Sequence, residues 1–123
     1  MERQVKFRAY QDDKMLHQPT YGNYALARFV GFLYEDAPLM QFTGMLDKND
    51  KEIYECDIIR LCNNKKGSFE VIFVNGYQGG WNLKSKKHEN TISLGTRNKS
   101  ELEIIGNIYE NPTILTDEAK RSF

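Results

Sequence analysis

The chain has 123 residues, of which 40% are hydrophobic and 28% charged, with 17 basic and 17 acidic residues. This composition excludes a disordered chain and leaves room for one domain with its own core. No apolar run is long enough to cross a bilayer and the first residues lack a signal-peptide core, which predicts a cytoplasmic protein.

The first predicted elements form a β-hairpin. Val5, Phe7 and Ala9 alternate with more polar residues, and a period of two with one apolar face predicts a half-buried strand. Residues 12–14 form the turn, and a return strand starts at Met15. Pro19 and Gly22 then indicate a loop.

Residues 24–34 carry apolar side chains at helical spacing, namely Leu26, Phe29, Val30 and Leu33. Their aromatic and β-branched residues favour a strand instead, and Gly31 weakens a helix. We therefore predict a strand for this segment.

A strand over residues 39–45, a polar turn over 47–51 and a strand over 57–61 are predicted next. Turns between tightly paired strands often need positive φ, which Asn49 suits. A polar loop follows at residues 63–67.

The strongest hairpin signal is Asn75-Gly76, which predicts a two-residue type I′ turn between strands at 69–74 and 77–83. Gly79-Gly80 within the return strand predicts a bulge or a close approach by another backbone. Short strands at 91–94 and 101–109 follow, and Thr116 is predicted to cap a final short helix. Several short strands at close spacing predict a barrel or a sandwich.

Three segments resemble the YopX family of bacteriophage and prophage proteins: residues 5–10 (VKFRAY), residues 41–59 (QFTGMLDKNDKEIYECDII) and residues 103–112 (EIIGNIYENP). Residues 17–40 and 62–100 match the family only in general character. The family has no established biochemical activity. Asp50 and Cys56 stand where its members usually carry Gly, so the local backbone is expected to differ or to bear a small cost there.

The resemblance implies a mainly β fold in a single YopX-like domain over residues 1–123. A β-hairpin extension is expected at 1–53, a small five-stranded SH3-like barrel at about 54–110, and a tail with a short helix at 111–123.

Metal and catalytic motifs are weak. The acidic cluster at residues 47–57 fails the EF-hand spacing, because Glu52 replaces the required Gly, and it is interpreted as a solvated turn. His17, His88, Cys56 and Cys62 lack zinc-site spacing, and the cysteines are expected to be buried or half-buried thiols without a bridge. Neither an activated thiol nor a Gly-rich phosphate loop is indicated. We predict no metal, no cofactor and no enzymatic activity.

Charge is unevenly spread, since residues 58–100 carry eight basic and two acidic residues, a net charge of +6. Either the acidic ends of the chain neutralise this segment, which we favour, or it forms a surface for an acidic partner. The residues available for such a partner are Tyr77, Trp81, Lys84, Lys86, Lys87 and Arg97. Aromatic side chains beside lysines suit base stacking and phosphate contacts.

The sequence therefore predicts a phage- or prophage-encoded accessory protein in the bacterial cytoplasm, acting as a non-enzymatic interaction or assembly module for a host or phage protein. The alternative is a weak nucleic-acid-binding barrel that uses the basic region at 60–99. Self-association is left open, and no membrane partner is expected.

Overall fold

A computed structural model describes residues 5–19, 25–62, 67–75, 79–85 and 91–115, with the backbone alone for residues 25–27. In these residues the chain forms two antiparallel sheets, one short α-helix, one 3-10 helix (Lys99–Glu101) and the helical residues 113–115. The prediction of a mainly β fold is confirmed.

The first sheet contains β1 (Phe7–Gln11), β2 (Lys14–His17), β3 (Leu39–Leu46) and β4 (Glu52–Tyr54), in the order β2-β1-β3-β4. The predicted hairpin at the start of the chain is confirmed. Its two-residue turn is Asp12-Asp13, and φ is 54° and 61° at these residues. Positive φ at both positions is the type I′ geometry, whose twist matches that of the flanking strands.

The predicted strand at residues 24–34 is wrong, because Ala25–Gly31 is an α-helix, α1. The helical spacing of the apolar residues prevails, and it buries Phe29. Gly31 is the last helical residue, so it does not interrupt the helix. The chain then turns, with Leu33 N donating to Val30 O at 3.0 Å, and reaches β3 through an exposed loop.

The second sheet contains β5 (Asp57–Leu61), β6 (Ser68–Val74), β7 (Gly80–Lys84), β8 (Thr91–Ser93) and β9 (Leu102–Asn107), in the order β8-β7-β6-β5-β9. The fold contains one half-barrel, so the prediction of a barrel-like β fold is confirmed at that level. The core comprises Ile53, Ile59, Leu61, Phe69, Val71, Leu83, Leu94 and Leu102. The specific likeness to an SH3 barrel stays a prediction.

The predicted two-residue turn at Asn75-Gly76 is wrong. Val74 pairs with Gly80, so residues 75–79 connect β6 to β7; residues 76–78 lie outside the described part of the chain. The observed register sets Phe73 opposite Trp81 and Val71 opposite Leu83. The predicted turn would have placed Val71 opposite a glycine. Apolar cross-strand pairs therefore outweigh the local turn preference.

The glycines at this hairpin do not act as predicted. β6 and β7 pair without a register shift, so Gly79-Gly80 forms no bulge between them. A Cβ added to Gly80 would meet no atom within 4 Å, so no other backbone approaches it closely. Gly80 instead starts β7, with φ at 129°.

Direct hydrogen bonds join the two sheets. Lys48 N donates to Leu102 O at 2.8 Å, and Ile104 N donates to the Asp47 Oδ2 atom at 3.0 Å. The division of the chain at residue 53 stays a prediction.

Residues 113–115 are already helical, so the final helix begins earlier than the predicted Thr116, which lies outside the described residues.

Candidate functional site

A cleft of about 500 Å³ opens where the two sheets meet. Its walls come from β1, β2, β4, the start of β5, β9 and the turns beside them. The lining residues are Arg8, His17, Lys51, Glu52, Tyr54, Asp57, Ile104, Ile105, Gly106, Asn107, Glu110 and Asn111.

A buried ion pair lies at this cleft. The Nη2 atom of Arg8 is 2.8 Å from the Oδ1 atom of Asp57, and the two side chains are only 7% and 2% exposed. Tyr54 N donates to the Oδ2 atom of Asp57 at 2.8 Å. The Arg8 guanidinium also lies over the Tyr54 ring, 4.8 Å from its centre. Its Nε atom is buried and has no hydrogen-bond partner within the described residues.

Burial sets the protonation of these groups. It raises the pKa of Asp57, while Arg8 and the Tyr54 N–H oppose that rise. Burial and the nearby Glu52 raise the pKa of Tyr54 to about 12. Burial and the positive charge of Arg8 lower the pKa of His17, which is therefore neutral at pH 7. Tyr54 is likewise neutral, and the charge on this wall of the cleft comes from the ion pair.

The acidic cluster at residues 47–57 is not a solvated turn throughout, because Asp47 is fully buried. Its carboxylate accepts hydrogen bonds from Asn49 N at 2.8 Å, Lys51 N at 2.9 Å and Ile104 N at 3.0 Å. Burial alone would raise the pKa of Asp47, yet these N–H groups lower it. The carboxylate thus closes the β3–β4 turn and ties it to β9. Aspartate side chains often accept hydrogen bonds from N–H groups two or more residues later in the same turn. The spacing of Asp47 and Asn49 in the sequence could therefore have predicted this turn.

The two cysteines flank β5 and are both free. Cys56 is half-buried, as predicted, and burial raises the pKa of its thiol to about 11. Its φ is 72°, so it occupies a left-handed position of the kind that glycine adopts easily. Cys62 is exposed, which contradicts the prediction of a buried or half-buried thiol.

No group of three or more His, Cys, Asp or Glu side chains that could hold a metal ion occurs in the described part of the chain. His88 lies outside those residues. That the protein requires no metal stays a prediction.

Part of the basic middle segment is paired with its acidic flanks, in line with the interpretation we favoured. Three ion pairs show this: Arg60 with Glu103, Arg97 with Glu101, and Lys99 with Asp50. The remaining lysines of this segment, apart from Lys84, lie outside the described residues.

Two of the predicted partner-binding residues that the structure describes, Trp81 and Lys84, lie on opposite faces of their sheet. Trp81 packs against the core and meets the Phe73 ring edge to face, with 5.1 Å between ring centres. Successive strand residues face opposite sides, so Lys84, three positions on, lies on the other side of the sheet. Arg97 is 3.9 Å from Glu101. Tyr77, Lys86 and Lys87 lie outside the described residues.

A second candidate site, which we call the apolar surface, consists of the exposed side chains of Val30, Phe32, Tyr34 and Leu39. Phe32 is 81% exposed and Tyr34 is 59% exposed. Gln11 holds their backbone in place: its Nε2 atom donates to Phe32 O at 3.2 Å, and its Oε1 atom accepts from Tyr34 N at 2.6 Å. Sequence reasoning missed this surface because it assigned these residues to a strand.

The fold and the cleft together define a small two-sheet β protein with a polar cleft at the junction of its sheets. Residues 3–116 match the YopX protein family, and the chain belongs to that family. The crystal structure of protein EF1440 from Enterococcus faecalis is similar, with 21% sequence identity and a TM-score of 0.59 over 93% of this chain and 99% of that chain. This likeness shows the fold alone. A comparison with curated proteins gave no match.

Proposed function

We propose that this protein is a non-enzymatic interaction or assembly module, encoded by a phage or prophage, that binds a host or phage protein in the bacterial cytoplasm. The observation that carries the proposal is the apolar surface. Large aromatic side chains gathered on a solvent-exposed surface mark protein-binding sites, and aromatic residues are enriched there. Gln11 restrains the backbone at Phe32 and Tyr34, which lowers the entropy lost when a partner binds there.

The cleft supports a non-enzymatic role. Two of its carboxylates are engaged, since Asp57 is held by Arg8 and Glu52 is paired with Lys6. Tyr54 keeps its proton at neutral pH, and so does the nearby thiol of Cys56. General acid–base catalysis favours groups with pKa values near the working pH that are free to exchange protons. The nucleic-acid alternative has less support, because Trp81 and Lys84 lie on opposite faces of their sheet.

Site-specific photo-cross-linking tests the proposal. A benzophenone amino acid replaces Phe32 in one variant and Phe73 in a control, because Phe73 is also exposed but lies on the other sheet. Both variants are expressed in host cells during prophage induction and irradiated. We expect a discrete protein adduct from position 32 that survives nuclease treatment and is absent from position 73. Equal adducts from both positions, or loss of the adduct with nuclease, would refute the proposal.

A further inference from the structure

We propose that the partner segment recognised by the apolar surface is basic and amphipathic, carrying lysine or arginine beside apolar side chains. This inference rests on the proposed function. Its basis is a set of four exposed carboxylates around the apolar surface, which we call the acidic rim: Asp12, Asp13, Glu35 and Asp36.

The acidic rim is contiguous with the apolar surface. The Tyr34 hydroxyl donates to the Oδ2 atom of Asp12 at 3.3 Å, which joins the β1–β2 turn to the loop after α1. Glu35 and Asp36 follow Tyr34 in a turn closed by Ala37 N, which donates to Tyr34 O at 3.1 Å. A carboxylate of the β1–β2 turn therefore contacts the Tyr34 side chain, and two further carboxylates follow Tyr34 directly in the chain.

These carboxylates differ from five others among the described residues. Asp50, Glu52, Asp57, Glu101 and Glu103 each form an ion pair. No member of the acidic rim forms an ion pair within the described residues. The adjoining segment 20–24 contains no charged residue. Residues 12–36 contain two basic residues, Lys14 and Arg28, which are both exposed, so with the four carboxylates this stretch has a net charge of −2.

Charge complementarity then selects the occupant. An acidic rim repels nucleic acid and acidic peptides and attracts basic ones. The apolar stems of lysine and arginine pack along aromatic side chains while their charged ends reach neighbouring carboxylates. A cation over the face of Phe32 or Tyr34 gains further attraction from the ring. A segment that alternates apolar and basic side chains satisfies both parts of this surface at once.

A peptide titration tests the inference. The probe is a labelled amphipathic helical peptide of about 14 residues made of Leu and Lys, and its counterpart has Glu in place of Lys. Binding to the full chain is measured by fluorescence anisotropy. We expect the Lys peptide to bind and the Glu peptide not to. Raising the salt concentration from about 50 to about 500 mM should weaken binding severalfold, since exposed charges become screened.

Two pairs of variants separate the contributions of the two parts of the surface. Phe32→Ser should weaken binding of the Lys peptide about tenfold or more, because large aromatic side chains dominate protein interfaces. Phe73→Ser is its matched control and should have no effect. The double variant Glu35→Lys with Asp36→Lys should weaken binding by a similar factor. Asp50→Asn, at an exposed carboxylate in the β3–β4 turn, should not. Circular dichroism confirms that each variant is folded.

Each outcome decides a different part of the reasoning. If Phe32→Ser leaves binding unchanged, or the Lys peptide does not bind at about 1 mM, the basic-partner inference is overturned. If Phe32→Ser weakens binding but charge reversal and salt do not, the basic partner is wrong and the proposed function stands. If sedimentation shows a dimer that Phe32→Ser disrupts, the occupant is a second copy of this chain and the inference is overturned.

Discussion

Replacing Arg8 with Met tests the energetics of the buried ion pair. Methionine fills much of the arginine stem's volume but leaves the Asp57 carboxylate, which is 2% exposed, with the Tyr54 N–H as its remaining hydrogen-bond donor among the described residues. Removing one member of a buried ion pair typically costs about 3–5 kcal/mol, because the other charge stays desolvated. We expect a loss of that size in the free energy of unfolding, which is a large share of the total for a domain of this length.

Urea denaturation followed by circular dichroism measures this loss. Arg60→Met is the control, because Arg60 also binds a carboxylate but its side chain is 58% exposed. An exposed pair contributes about 0–1 kcal/mol. Adding Asp57→Asn to Arg8→Met should restore part of the stability, since no buried charge is then left unpaired. Equal costs for Arg8→Met and Arg60→Met would refute the reasoning.

The loss should also depend on pH. Burial already raises the pKa of Asp57, and removing Arg8 removes a charge that opposes this rise. The unfolded carboxyl, with a pKa of about 3.9, then loses its proton at a lower pH than the folded one. The free energy of unfolding therefore falls as pH rises from the unfolded pKa to the folded pKa. The gap between Arg8→Met and wild type should widen from about pH 4 towards neutrality. A constant gap would contradict this account.

Three further predictions concern the turns and metal dependence, and thermal melting checks each. Gly106→Ala should cost about 1–3 kcal/mol, because its Cβ would lie 2.5 Å from the Asn111 Oδ1 atom; adding Asn111→Ala should restore stability. Cys56→Gly and Asp50→Gly should be neutral or stabilising, since φ is 72° and 62° there and glycine relieves a cost of about 1 kcal/mol. Asp50→Gly should gain less stability than Cys56→Gly, because it also removes the ion pair with Lys99. A clear fall in the melting temperature of either variant would contradict the prediction for that variant. A chelator should leave the melting temperature unchanged, and a drop of many degrees would reveal a metal site.

The parts of the fold predicted correctly depend on local signals. Period-two alternation identified β1, and a short polar stretch identified the Asp12-Asp13 turn, because both patterns involve neighbouring residues alone. The family resemblance added a backbone detail. Asp50 and Cys56 stand where relatives usually carry glycine, and both have positive φ. The glycine that relatives usually carry at these two positions thus indicated positive φ there, although this chain has Asp and Cys instead.

The wrong predictions concern features that distant residues decide. The strand register at β6–β7 follows from the pairing of Phe73 with Trp81, which residues 75–76 do not reveal. Asp47 and Asp57 were interpreted as members of a solvated cluster. Asp47 instead accepts a hydrogen bond from Ile104, which is 57 residues away in the sequence. Asp57 accepts one from Arg8, which is 49 residues away. A pattern search within a short window cannot find such pairs. The cleft could not be predicted for the same reason.

The three family-like segments and the apolar surface occupy different parts of the molecule, and this division bears on function. Every residue lining the cleft except His17 belongs to one of the three segments, at residues 5–10, 41–59 and 103–112. These segments also supply the buried ion pair and the Asp47 bonds that join the two sheets. The apolar surface lies within residues 17–40, which resemble the family only in general character. The three family-like segments thus build the frame, and residues 30–39 carry the exposed aromatic side chains. Partner choice should accordingly differ between family members, and exchanging residues 30–39 between two of them should exchange their partners.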